Sequence, residues 1–170
     1  MKIKRIMAAF TAAVCFSTVF SGFPCFDLAF TAETAVSDSF ERTYDGWCAY
    51  GTADIKAADG FEGRGMLITD RASALDGAVS EKGFYLDGGI KYKYSVKVKS
   101  EKGDVFSLTL RWLDPETGEY NSRVIAEKNA NANEWTEISA KAAAPKGSIN
   151  QTLIITANST EDFYFDDVNI

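Results

Sequence analysis

In the stretch Lys91-Tyr92-Lys93-Tyr94-Ser95-Val96-Lys97-Val98-Lys99, apolar and polar residues alternate without a break. A chain with this period buries its apolar side chains only as a strand with one face on a core. Tyr92, Tyr94, Val96 and Val98 form the inner face, and the lysines and Ser95 the outer one. The same alternation returns in Phe106, Leu108, Leu110 and Trp112, set against Ser107, Thr109 and Arg111. No comparable 3.6-residue period occurs after the first thirty residues. Further strands are predicted over 37–40, 53–57, 66–69, 122–126, 136–140, 151–156 and 162–169.

Turn chemistry separates these runs: Asp59-Gly60, Asp87-Gly88-Gly89, Lys102-Gly103-Asp104 and Pro145-Lys146-Gly147. Asp114-Pro115-Glu116-Thr117-Gly118 reads as a hairpin loop. Short antiparallel strands at this spacing imply an all-β fold, a two-sheet sandwich. The last strand alternates Phe163, Tyr164 and Phe165 and then meets Asp166-Asp167, an acidic end that needs donors or a cation beside it.

Residues 1–32 differ in kind. Lys2, Lys4 and Arg5 precede an apolar run from Ile6 to Phe23, and the small residues Ala29, Thr31 and Ala32 follow. This is the layout of a secretory signal peptide, with cleavage expected near Thr31 or Ala32. A membrane anchor is the alternative. Gly22 and Pro24 end the run and no basic stop-transfer follows, so no membrane contact is expected after cleavage. The expected domain is then 33–170, secreted, extracellular and monomeric.

Cleavage would remove Cys15 and Cys25 and leave Cys48 alone. The sequence contains no histidine. That excludes Ser-His-Asp and Cys-His chemistry and ordinary zinc sites. Cys48, beside Trp47, reads as a small buried hydrophobe. The net charge of −6 argues against a nucleic-acid partner. Paired carboxylates hydrolyse glycosides, but nothing marks a pair here, and no catalytic residue is expected.

Several segments in order resemble carbohydrate-binding modules of family 22 and the related family 4/9 group. They are Phe40-Glu41 with Gly46-Trp47, Phe61 to Leu67, Tyr92 to Val96, Glu134 to Ile138, Pro145, and Asp162 to Val168. The resemblance covers residues 37–170. It implies a jelly-roll β-sandwich, a polysaccharide or oligosaccharide partner such as xylan or mixed-linkage glucan, and service as an accessory to a glycoside hydrolase. The Arg71-to-Gly77 segment follows the family's arginine–spacer–aromatic–glycine pattern, with Leu75 at the stacking tryptophan. Tyr50 stands at the family's arginine, Ile154 and Thr156 at its late tyrosine and glutamate, and Tyr120 at its remaining cleft tyrosine.

Sugar binding needs flat apolar faces flanked by donors and acceptors. The candidate platforms are Tyr50 and Tyr120, with Arg71 and Arg111 as donors. Two have a plainer alternative: Tyr120 as a solvated loop aromatic, and Arg71 as a structural arginine pinning a loop to carbonyls. Trp47 and Trp112 read as core, and Trp135 as edge packing. The resemblance also implies a structural calcium held by Glu41, Glu62, a carbonyl near Arg64 and Asp166 or Asp167, with Asp166 favoured. The competing reading is a structural or protein-interaction sandwich that has lost sugar binding. Leu75, Ile154 and Thr156 argue for it.

Overall fold

The computed structural model describes residues 34–41, 46–81 and 83–170. The expected signal peptide lies outside them. Period-two alternation becomes eleven strands, and no helix occurs among the described residues. They are β1 Ser37–Asp38, β2 Trp47–Tyr50, β3 Asp54–Asp59, β4 Arg64–Thr69, β5 Gly77–Ser80, β6 Tyr92–Ser100, β7 Asp104–Leu113, β8 Tyr120–Ala130, β9 Thr136–Ala142, β10 Ile149–Ala157 and β11 Phe163–Asn169.

These strands form two antiparallel sheets. The first has the order β3-β4-β11-β6-β9, with β1 also paired to β11. The second has the order β2-β5-β10-β7-β8. Sequence neighbours therefore switch sheets repeatedly, as in a jelly roll. β6 lies beside β11, seventy residues on, and β5 lies beside β10.

The alternating faces meet between the sheets. Tyr94, Val96 and Val98 from β6, Met66 and Ile68 from β4, and Phe163 and Phe165 from β11 are buried. They face Phe106, Leu108 and Leu110 from β7 with Leu153 and Ile155 from β10. Phe40, Trp47 and Phe165 pack ring on ring, the last two 5.1 Å apart. Trp47 is thus core, and its Nε1 donates to Asp38. Trp112 is half-buried, packed on the core but also lining a cavity of about 400 Å³ beside the 145–148 turn.

Two strands escaped the sequence reading: β2 and β5. Gly77-Ala78-Val79-Ser80 is buried at every position, so it offers no alternation to read. Its place between β2 and β10 also demands Gly77, because a Cβ there would run into the carbonyl oxygen of Ile155.

Candidate glycan-binding face and cation site

The outward residues of the second sheet follow from its register. Cys48, Val79, Ile154, Thr109 and Val124 form one row across all five strands. Tyr50, Gly77, Thr156, Ser107 and Glu127 form the row on one side of it. Thr152, Arg111 and Ser122 lie on the other side, and Leu113 and Tyr120 come beyond them. The face has an apolar centre with hydroxyls, a carboxylate and a guanidinium around it.

Arg111 and Tyr120 are brought together. The hairpin that joins β7 to β8 folds Tyr120 back, and the guanidinium lies 3.9 Å from the centre of its ring. The Asn150 amide meets the Tyr120 hydroxyl from β10. Tyr120 is therefore the first residue of a strand rather than a loop aromatic, and it stays 46% exposed. Tyr50 is not beside it. It ends β2 at the opposite corner, four strand spacings or roughly 19 Å across the sheet and several rows along it.

Arg71, expected as a ligand donor, is only 6% exposed and does not face this surface. Its Nε donates to the carbonyl of Asp76, and its two terminal nitrogens donate to those of Glu161 and Ala157. The guanidinium packs over Phe163, 5.0 Å from the ring centre. Burial lowers its pKa, opposed by Asp104, Asp76 and Asp162. Arg71 is a positioning residue for the loop that ends at Asp76.

That loop is fixed at both ends. The Asp76 carboxylate accepts from the Thr52 hydroxyl and backbone N–H, and from the N–H groups of Ala72 and Ser73. The Thr52 hydroxyl is the main cause of a pKa lowered to about 2. Thr52 follows Tyr50 by two residues, so this clamp sets the loop tip beside the Tyr50 corner. The tip carries Leu75, 76% exposed. Cys48 opens onto the same face, and burial, then Glu81, raises its thiol pKa. Asn150, Val79, Thr109 and Val124 were not among the site residues expected from the sequence. The polar side of the β7 alternation would have led to Thr109.

A second grouping lies on the first sheet, around the turn from β3 to β4. Asp166 is 0% exposed, and its carboxylate accepts from the N–H groups of Phe61 at 2.8 Å, Glu62 at 3.4 Å and Asp167 at 2.7 Å. Burial raises its pKa against those hydrogen bonds, and no ion pair reaches it among the described residues. The space a Cβ on Gly60 would occupy lies 2.5 Å from Asp166 Oδ2 and 2.6 Å from the Arg64 carbonyl oxygen. Two oxygens thus converge on one small cradle. Glu41 is tied to the same turn, accepting from the Arg64 N–H at 3.1 Å. Glu62 is exposed, and no three carboxylates gather there among the described residues. Asp166 and the Arg64 carbonyl present oxygens of the kind a hard cation takes; Glu41 is tied to the neighbouring backbone, and Glu62 is not drawn in.

Comparison with known proteins places this architecture. The family described as "Carbohydrate binding domain" (CBM_4_9) matches residues 32–162. Endo-1,4-beta-xylanase Y of Acetivibrio thermocellus is 49% identical over 177 residues, covering 100% of this chain and 16% of that protein. The solved CBM22-1–GH10 modules of Clostridium thermocellum xylanase 10B, complexed with xylohexaose, align with a TM-score of 0.76. They are 53% identical, over 80% of this chain and 28% of that one. A xylan-binding domain from CBM 22 shares the fold, with a TM-score of 0.71 at 21% identity over 81% of this chain and 94% of that one. This chain therefore spans only a minor part of the xylanase it matches. On the family match and the relative that covers this whole chain, the chain belongs to the carbohydrate binding domain family and carries a carbohydrate-binding module of the xylanase-associated type.

Proposed function

We propose that this chain binds xylan-type β-glycan on the outer face of its second sheet, as a non-enzymatic accessory to a glycoside hydrolase. The observation that carries the reading is the spread of the face. Exposed Tyr120 with Arg111 and Asn150 stands at one corner, and Tyr50 at the other. A separation of this order suits an extended polymer, not a single sugar. The rings supply apolar area, while Thr109, Ser122 and Glu127 lie between them to meet hydroxyls. The relatives' names support the substrate class, since one is a xylanase and one solved relative holds xylohexaose. The chain acts outside the cell as a monomer.

The test is a pull-down on insoluble xylan, cellulose and mixed-linkage glucan, comparing the natural chain with Tyr50→Ala/Tyr120→Ala. Retention on xylan that the variant loses supports the reading. A folded chain that no polymer retains overturns it. The apolar central row, with Val124 51% exposed, favours the second reading of a protein-interaction face, and that result would move the assignment there.

The cradle at Gly60 is proposed as a structural calcium site, held by Asp166, the Arg64 carbonyl and Glu41. A bound dication would offset the buried charge of Asp166 and lock the β3–β4 turn to β11, giving stability and no chemistry. Calcium at a hundredfold excess over its Kd is expected to add about 3 kcal/mol to the unfolding free energy. Asp166→Asn removes that gain. Identical melting curves with calcium and with chelator would sink the proposal.

A further inference from the structure

The outer face of the first sheet carries a basic stripe on a chain whose net charge is −6. Lys93, Lys97 and Lys99 leave β6 on the side opposite buried Tyr94, Val96 and Val98. Lys141 of β9 stands directly opposite Lys93 in the register. Like charges in opposed positions repel each other. Among the described residues neither lysine makes an ion pair; Lys97 alone of the stripe does, with Glu137 at 3.6 Å.

One end of the stripe is aromatic. The Lys99 ammonium lies 4.6 Å from the centre of the Tyr164 ring and 5.1 Å from that of Trp135. Phe61, 41% exposed, packs edge-on to Trp135 at 6.1 Å, and Lys97 covers its ring. Beyond Tyr164 the charge reverses, where Glu101, Glu161 and Asp162 line a separate cavity of about 320 Å³. From Lys93 to Lys99 the stripe runs roughly 20 Å along β6.

We propose that this face binds the carboxylates of a uronate-bearing polysaccharide, apart from the neutral glycan backbone held on the second sheet. A concentrated positive field on an otherwise acidic molecule draws polyanions to that one place. A carboxylate between Lys93 and Lys141 relieves their repulsion. The neighbouring rings give a sugar apolar surface that a simple counterion does not use. The inference rests on the reading of the chain as a glycan-binding domain, but not on which residues of the second sheet carry it.

The experiment measures binding of the 170-residue chain to a glucuronate-substituted xylan and to the same polymer after carboxyl reduction, at low and high salt. The variants are Lys93→Gln/Lys99→Gln/Lys141→Gln and Tyr50→Ala/Tyr120→Ala. The natural chain is expected to prefer the acidic polymer by roughly three- to tenfold at low salt, with the margin closing at high salt. The lysine variant should lose that margin yet bind the reduced polymer unchanged, which also reports that it is folded. Equal binding of the two polymers by the natural chain overturns this inference and leaves the second-sheet reading intact. A preference that the tyrosine variant loses and the lysine variant keeps overturns it too, because recognition of the acid would then lie on the other face. Binding to neither polymer overturns both readings.

Discussion

Arg71 and Asp76 show how residues near a site act by holding it. The three carbonyls bound by Arg71 come from three separated places, Asp76, Ala157 and Glu161. Arg71→Ala would leave them without these donors, in a place where water enters poorly. A loss of about 3 kcal/mol or more is expected in chemical denaturation, since each orphaned acceptor costs about 1–3 kcal/mol. Arg71→Lys should recover little, because one ammonium cannot reproduce a planar three-way fork. Asp76 gives a pH signature. Its folded pKa of about 2 lies below the ordinary aspartate value, so its contribution is full above pH about 4 and fades as pH falls through about 2. Stability measured between pH 5 and 2 should therefore fall less steeply in Asp76→Asn than in the natural chain. Equal slopes would refute the assignment.

At the scale of the element, β5 is the weak link and the instructive one. It joins the short edge strand β2, and with it Tyr50, to the rest of the second sheet. Gly77→Ala places a methyl group against the Ile155 carbonyl and must push β5 off β10. The expected cost is about 2–3 kcal/mol. Hydrogen exchange should show protection lost first in β2 and β5 while β6 and β11 stay closed. Uniform loss would contradict this. The same strand marks where sequence reading stops. β6 and β7 were legible because one face is wet and one dry, so burial writes itself as alternation. β5 is buried at all four positions, Val79 of the outer row included, and has a glycine chosen by a neighbour's backbone, and neither leaves a local signal. The site divides in the same way. Arg111 and Tyr120 belong to one hairpin, nine residues apart, and sequence could pair them. Arg71 was grouped with them by residue type. Its partners are carbonyls, which every residue has, so the sequence offered the loop-pinning role as an alternative but could not name the partners. A related limit applied at the cation site, where the family resemblance pointed to Glu62 and the turn leaves it exposed.

In the whole molecule, the proposed cation cradle and the proposed glycan face of the second sheet lie on opposite sides, with the packed core between them. The cradle belongs to the turn that covers Asp166 on β11, and the glycan face belongs to β2, β5, β10, β7 and β8. Sheets packed face to face stand about 10 Å apart, so the side chains of the two sites share no partner. Changes at such separations add within a few tenths of a kcal/mol. Asp166→Asn should abolish the calcium gain in melting temperature and leave xylan retention at saturating polymer unchanged. Tyr50→Ala/Tyr120→Ala should do the reverse. The combined variant should show the sum of the two effects in calorimetry and in binding. A calcium dependence of glycan affinity in the natural chain, lost in Asp166→Asn, would break this independence. It would mean that the core transmits order from one sheet to the other, through Phe165 beside Asp166 and Trp47 at the head of β2, whose rings touch at 5.1 Å.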